Sequence, residues 1–469
     1  MSAAEPGSRA AGTRRTPPAR HASFALTDLG NAEFFAHLHG NRVRFDHRRK
    51  RWLRWCAPTW QPDDDAAVPR LAHDAVRRRF KDAVALTDSA EKSRAAQWAI
   101  QSEGRNRSAA MLTVAQTLTP IADAGKGWDA NPLLLACPNG VIDLRSGTLR
   151  AGRPEDKLTL RAGVAFDPTA KAPRFEQFVR EIFDGDAERV AWLSKAVGYS
   201  LTGATAEQIF FVLYGRGANG KGTLTRILDY ALGDYSFNLP FSSLEAHPGP
   251  IPNDLAALVN RRFVTASETN AGTRLNEARI KALTGEDLIS ARFLYAEFFS
   301  FRPVCKLWLS VNHKPVVSDL THGFWRRLRL IPFECTFPID KGLDAALRAE
   351  AAGVLAWAVR GCLRWQAEGL GDGPAAVRDA GTEYQVESDP LAEFLADHTT
   401  RIEGGTARAS ALFDRYKDWA ERNNVPTPAR LSNTAFGRAL TERGFAKTHT
   451  SAGRVYHGLA LKSAATEAA

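Results

Sequence analysis

The chain has 469 residues, enough for two to four domains and a sizeable core. Its formal net charge of +10 favours an anionic partner, nucleic acid foremost. The five cysteines (Cys56, Cys137, Cys305, Cys335, Cys362) form no C-x-x-C pair, which argues against a disulfide framework or zinc module, and no apolar run reaches the length of a membrane span or a signal peptide.

Residues 1–22 are Ala, Gly, Pro, Ser and Arg with no apolar period, which predicts a disordered basic tail. "FALTDLGNAEFFAHLHG" opens a folded segment, with helical spacing at Phe34, Phe35 and Leu38. In "RVRFDHRRKRWLRWCAPTW", Trp52, Trp55 and Trp60 lie among Arg48, Arg49, Lys50, Arg51 and Arg54. Such interleaving suits a nucleic-acid backbone and its bases. The commoner meaning is a twisted hairpin with a solvated basic face. Helices rich in Ala and Arg follow to about residue 125. "NGVIDLRSGTL" reads as two short strands turning at Ser146 and Gly147. "RFEQFVREIF" and "ERVAWLSKAVGYSL" read as amphipathic helices.

"FFVLYGRGANGKGTLTRIL" follows, an apolar strand, a glycine-rich loop and a helix. Gly215, Gly217 and Gly220 fit the dinucleotide fingerprint. That fingerprint needs an acidic residue ending a second strand about twenty residues on, and Asp234 ends no apolar strand. Gly215, Gly220 and Lys221 also fit G-x-x-x-x-G-K-[ST], in which backbone amides and a helix N-terminus close around phosphate oxygens. Lys221 is then a point charge for the β- and γ-phosphates. The template's hydroxyl position is Gly222, and a hydroxyl arrives only at Thr223, about 100° further round a helix. Direct Mg²⁺ ligation by the loop is left open.

A phosphate loop needs an acid at the end of another strand. "RRFVTASET" provides Glu268 there, able to hold Mg²⁺ through water or to polarise an attacking water. "CKLWLSVN" ends in Asn312, an amide placed to orient water or sense the γ-phosphate. "GFWRRLRLIPF" carries Arg326 and Arg327, usually surface charge, but in a ring ATPase able to reach a neighbour's nucleotide.

"LDAALRAEAAGVLAWAVRGCLRWQAEGL" reads as helix, closed by the "GLGDGP" boundary. Two helices, the second with Ser432 as a candidate N-cap, and the hairpin "FAKTHTSAGRVYHGLAL" then give the pattern of a winged helix. The expected fold is α/β, with a mostly helical N-terminal domain at 23–200, an ATPase core with helical lid at 201–373 and a winged helix at 385–469.

The ordered set "GRGANGKGT", "FVTASET", "KALTGEDLISARFLY", "KLWLSVNHKP" and "GFWRRLRLIPF" resembles the superfamily 3 helicase module of phage and plasmid primase–helicases. The upstream region resembles the poxvirus-type helicase N-terminal domain. The resemblance implies an AAA+-type P-loop core, ATP and Mg²⁺ as cofactors, a hexameric ring, and 3′-to-5′ movement on single-stranded DNA in a bacterial host cytoplasm. It implies nucleotide contacts at Gly215, Gly217, Asn219, Gly220, Lys221, Gly222 and Thr223, with Thr223 and Glu268 toward the metal. Glu268 would be the Walker B acid, Asn312 the sensor, and Arg326 or Arg327 the finger. "ISARFLYAEFFSFRP" would be a channel hairpin, bringing Lys281, Arg292, Tyr295 and Arg302 to DNA. Arg438, Lys447 and Arg454 would serve the winged helix. No paired carboxylates with a zinc motif precede the core, so primase activity is not expected, and a separate primase and loader are the expected partners on forked DNA. The alternative is a non-motor ATPase initiator that binds origin DNA through the winged helix.

Overall fold

Thr27 opens the first element. Its hydroxyl accepts from the Gly30 amide at 3.0 Å and caps α1 (Asp28–His39), which buries Phe34 and Phe35 at the expected helical spacing. The basic, tryptophan-rich stretch that follows folds as an antiparallel meander of β1 (Val43–Asp46), β2 (Arg51–Cys56) and β3 (Thr59–Pro62). Its aromatics are largely internal. Trp60 is buried, donates to the Pro154 carbonyl at 2.9 Å and packs against Trp55 and Trp128. Arg49 pairs with Asp46, and Arg54 with Asp63 and Asp65. The segment is a packed meander with Arg48, Arg49, Lys50 and Arg51 exposed on it. Helices α2 (Ala67–Val84), α3 (Ser89–Ser102) and α4 (Arg105–Ala115) follow, and β4 (Ala122–Asp123) joins β1 in parallel.

The computed structural model describes residues 24–246, 253–268, 272–292, 297–423, 425, 427, 430–451 and 453–462. They form two compact units. One is the set above, to Trp128, with Arg153–Thr159; the other is Asp129–Gly152 with Leu160 onward.

The second unit opens with the antiparallel strands β5 (Leu134–Cys137), β6 (Gly140–Asp143) and β7 (Thr148–Arg150). Helices α5 (Pro173–Ile182) and α6 (Ala187–Ser200) come next, then β8 (Phe210–Tyr214), α7 (Lys221–Leu232), β9 (Ser236–Asn238), β10 (Phe263–Ser267) and α8 (Glu277–Thr284). The hairpin β11 (Ile289–Ala291) and β12 (Phe299–Phe301), then β13 (Lys306–Val311), α9 (His322–Trp325) and β14 (Leu328–Pro332), complete the central part. The five-stranded sheet runs β14-β8-β13-β10-β9 with every pairing parallel. A parallel sheet is covered on both faces, so its strands read as unbroken apolar runs. Phe211 and Leu213 join one core with α5, α6 and α7, whereas Phe210 and Val212 face the other with α8 and the hairpin.

Helices α10 (Leu343–Ala349), α11 (Ala351–Glu368) and α12 (Ala375–Glu387) follow, then α13 (Pro390–His398), β15 (Thr399–Arg408), α14 (Ala409–Arg422), α15 (Asn433–Glu442), β16 (Lys447–Thr450) and β17 (Gly453–Leu461). Ser432 caps α15, as its position suggested. The last sheet is β15-β17-β16, so the expected hairpin gains a third strand. Its core is built from Phe394, Tyr416, Trp419 and Phe436.

Helices α5 and α6, grouped by sequence with the N-terminal region, bury Phe175, Phe178, Leu193 and Val197 in the core of the sheet. The stretch after "GLGDGP" does not leave the central part, because α12 buries Val377 and Tyr384 there, seven residues apart on one helix face.

Helices α6 and α11 cross at glycine. A Cβ on Gly361 would stand 1.9 Å from the Ser194 carbonyl oxygen, and one on Gly198 would stand 2.0 Å from the Cys362 amide nitrogen. Both obstacles are backbone, so neither can swing aside. Gly361→Ala is expected to lower unfolding free energy by about 1–3 kcal/mol. Gly381→Ala, in α12 with open space around it, should raise it by up to about 1 kcal/mol. Denaturant titration of both variants checks the contrast.

Candidate active site at the strand ends

The parallel order puts the carboxyl ends of β8, β10 and β13 side by side on one sheet edge. In open parallel sheets this edge is where ligands bind. Residues Gly215–Gly220 leave β8 as a tight loop, with Gly217, Ala218 and Gly220 in the left-handed region at φ 97°, 49° and 87°. Gly220 has a second reason to lack a side chain, since a Cβ there would meet Ile182 and Phe178 of α5 at 2.5 and 3.2 Å.

Lys221 begins α7 and is buried, 4% exposed. Its Nζ donates to the Gly215 carbonyl, to Asn219 Oδ1 at 3.2 Å and to Asn312 Oδ1 at 3.3 Å. All three acceptors are neutral. Burial pulls the ammonium pKa from 10.5 to about 8. Lys221 and Asn312, distant in sequence, therefore meet directly. Asn219 is buried, its amide also reaching the Phe333 carbonyl at 3.4 Å. Thr223 is half-buried, and its hydroxyl accepts from Arg226 at 3.2 Å. Gly222 is exposed.

Glu268 follows β10. Its amide donates to the Ser310 carbonyl at 2.9 Å, and Oε2 accepts from the His313 amide at 3.3 Å. Oε1 is buried with no hydrogen-bond partner, and burial pushes the carboxyl above the usual carboxylate range. The segment after Asn312 is gripped by α12. Lys314 Nζ pairs with Glu387 at 2.8 Å, and the Tyr384 hydroxyl donates to the Pro315 carbonyl. Sequence reasoning passed over this contact, because α12 lies beyond the glycine/proline cluster taken as an end.

Arg326 and Arg327 stand elsewhere. β14 runs parallel to β8, with Leu328 opposite Phe210 and Pro332 opposite Tyr214. The arginines precede Leu328, so a strand length on the order of 15 Å separates them from the glycine loop. Both donate to Gln208 Oε1, at 2.7 and 3.4 Å, and Gln208 holds a left-handed φ of 52°.

The expected DNA-contacting residues are less uniform. The β11–β12 hairpin is present, but Lys281 is paired with Asp319 at 2.7 Å and Arg302 donates to the Glu286 carbonyl. Arg292 is exposed, with its guanidinium over the Phe298 ring. Tyr295 lies outside the described residues. Arg438, Lys447 and Arg454 are exposed on α15, β16 and β17.

Two family models match the chain. Residues 32–184 match "D5 N terminal like", and residues 213–327 match a family of unknown function. The first match crosses the division between the compact units. Among curated proteins the chain is similar to "Putative helicase L207/L206" of Acanthamoeba polyphaga mimivirus, 28% identical over 325 residues, covering 63% of this chain and 33% of the relative. It is also similar to "Putative helicase 022R" of Frog virus 3, 25% identical over 386 residues, covering 63% and 39%. "Uncoating factor OPG117" of Vaccinia virus is 26% identical over 240 residues, covering 48% and 30%. The chain thus spans about a third of the length of these relatives. Among solved structures, the A form apo structure of the NrS-1 C terminal region (305-718) shares the fold, with a TM-score of 0.50 at 12% identity over 91% of this chain and 99% of that one. No helix among the described residues is long and apolar enough to cross a membrane.

The depressed Lys221 pKa has a pH signature. The charged form is costly when buried, so the penalty is fully present below about pH 8 and is relieved as pH rises toward the ordinary 10.5. A bound anion would reverse this by favouring the proton. Binding of an anion at Lys221 should therefore take up protons at pH 8–9 and weaken as pH rises further. Calorimetry in buffers of differing ionisation enthalpy measures the uptake, and Lys221→Met should abolish it.

Proposed function

The chain carries a D5-type primase–helicase module, and from that premise we propose that its central sheet is the ATPase motor of a DNA helicase working in replication. The observation that carries this reading is Lys221: a buried ammonium held by three neutral oxygens, at a strand-end edge shared with Asn312 and a half-buried Glu268 whose Oε1 has no hydrogen-bond partner. A cation without a counter-charge, at the start of a helix and beneath a glycine loop, suits a polyphosphate. ATP would lay its β- and γ-phosphates on Lys221 and the loop amides. Glu268 would accept a proton from, or orient, the attacking water, and Asn312 would fix that water's position. The raised carboxyl pKa suits a group that handles a proton.

Among the described residues no three His, Cys, Asp or Glu side chains cluster closely enough to hold a metal ion. The unpartnered Oε1 of Glu268 and the Thr223 hydroxyl are the oxygens that would hold Mg²⁺ brought in with the phosphates. When bound, the ion would neutralise phosphate charge. Thr223 would first have to release Arg226.

In this reading the chains assemble as a ring, because Arg326 and Arg327 lie too far from their own loop to serve it. They would reach a neighbour's nucleotide. DNA would pass the β11–β12 hairpin, with Arg292 its freest cation, while the C-terminal unit would act as a winged helix gripping duplex.

Lys221→Ala should lower ATP turnover by about 100-fold or more. Glu268→Gln should keep nucleotide binding and lose turnover. Rates near wild type in both variants would remove the site. A second test reads assembly. Mixing Lys221→Ala chains with Arg326→Ala/Arg327→Ala chains should restore part of the hydrolysis, since mixed interfaces join an intact lysine to an intact arginine pair. Confirmed mixed assemblies with no recovery would mean the arginines do not act across an interface.

A further inference from the structure

The site at the strand ends leaves a second concentration of positive charge unused. Helices α5, α6 and α11 enclose a cleft of about 290 Å³. Arg180, Arg360 and Arg364 line it, and Glu176 is the one carboxylate among its lining residues. Glu176 is 3.7 Å from each of Arg180 and Arg360, beyond hydrogen-bond length, so one acid is shared between two guanidinium groups and bonded closely to neither. Arg364 donates to the neutral Ser194 hydroxyl at 2.7 Å. The rest of the lining is apolar. Trp357, 7% exposed, and Val190 form an apolar wall beside this cationic rim.

An apolar wall with an aromatic ring and convergent guanidinium donors is the combination that holds a planar base and its phosphate together. We propose that this cleft binds a nucleoside phosphate, with the base against the Trp357 wall and the phosphate on Arg180, Arg360 and Arg364. Lys221 takes no part in it. The cleft and the glycine loop share one helix, because α5 turns Val179 into the cleft and stands Phe178 and Ile182 against Gly220. An occupant therefore presses on the element that backs the loop. The same chemistry comes from a free nucleotide or from one residue of a DNA strand.

The test is photo-crosslinking to the full chain with two probes, 8-azido-ATP and a bromodeoxyuridine oligonucleotide, and peptide mapping of the adducts. A Lys221→Ala background removes binding at the strand ends. Labelling of the α11 peptide in that background is expected with at least one probe, and the probe that labels identifies the source. Arg180→Ala/Arg360→Ala/Arg364→Ala should reduce that labelling at least tenfold, while the Lys versions of all three should keep most of it. The arginines are on the surface, and an unchanged melting curve of the triple variant shows that the fold is retained; should it melt early, the three single Ala variants are read instead. No α11 labelling by either probe, or labelling that survives loss of the arginines, overturns the proposal. Neither result bears on turnover at Lys221, which is measured separately.

Discussion

Two buried basic side chains hold the central sheet in place. Arg262 and Lys306 immediately precede or open adjacent strands β10 and β13 and are 2% and 1% exposed. Their hydrogen bonds go to backbone carbonyls. Arg262 donates to Leu201 at 2.7 Å, Leu134 at 2.8 Å and Asn131 at 3.3 Å, and Lys306 to Thr202 and, at 3.0 Å, Val304. Leu201 and Thr202 lie at the end of α6, where the last turn has carbonyls without helical partners and a negative dipole end. Each guanidinium or ammonium also lies over a buried tyrosine ring, Arg262 on Tyr235 and Lys306 on Tyr199. Burial drives the Lys306 ammonium far below its ordinary range, with the charge of Arg262 adding to it. A carbonyl left without its donor here costs about 1–3 kcal/mol. The pair thus fixes the amino edge of the sheet, which leaves the opposite edge free to carry loops.

That division of labour explains what the sequence disclosed. The loop at 215–220, Lys221, Glu268 and Asn312 were legible because each follows an apolar strand, and a parallel sheet needs no more than strand order to bring such ends together. Lys221 with Asn312, and Glu268 beside the residue after it, are close in the structure for that reason. Arg262 and Lys306 were invisible by the same logic. "RRF" and "CKL" look like polar flanks of strands, and only the three-dimensional position of a helix end gives the two basic side chains their acceptors. The β-strand Thr399–Arg408 escaped notice because it buries only Thr399 and Ala407 and carries a register shift between Arg401 and Thr406, so no alternation appears.

The tryptophan-rich basic segment teaches the opposite lesson. Its fold turns on acids supplied by chain neighbours. Asp46, Asp63 and Asp65 sit within reach of Arg49 and Arg54, and Trp60 finds a carbonyl far along the chain. Arg49 and Arg54 become scaffold because their partners are local, while Arg48, Lys50 and Arg51 stay on the surface. The arginines around Trp357 belong to the second kind, with one carboxylate shared between Arg180 and Arg360 and Arg364 on a neutral hydroxyl.

The grip of α12 on the residues after Asn312 sets a leash on the last part of the chain. Tyr384 is locked by its ring contact with Trp325 and its bond to Pro315. Asp389 is clamped to Arg443 of the C-terminal sheet-and-helix unit by contacts of 2.5 and 2.6 Å. Even fully drawn out, the stretch of chain between these anchors reaches no more than about 18 Å. While both anchors hold, that unit cannot drift away from the strand-end edge, and its exposed Arg438, Lys447 and Arg454 stay within a fixed radius of Asn312.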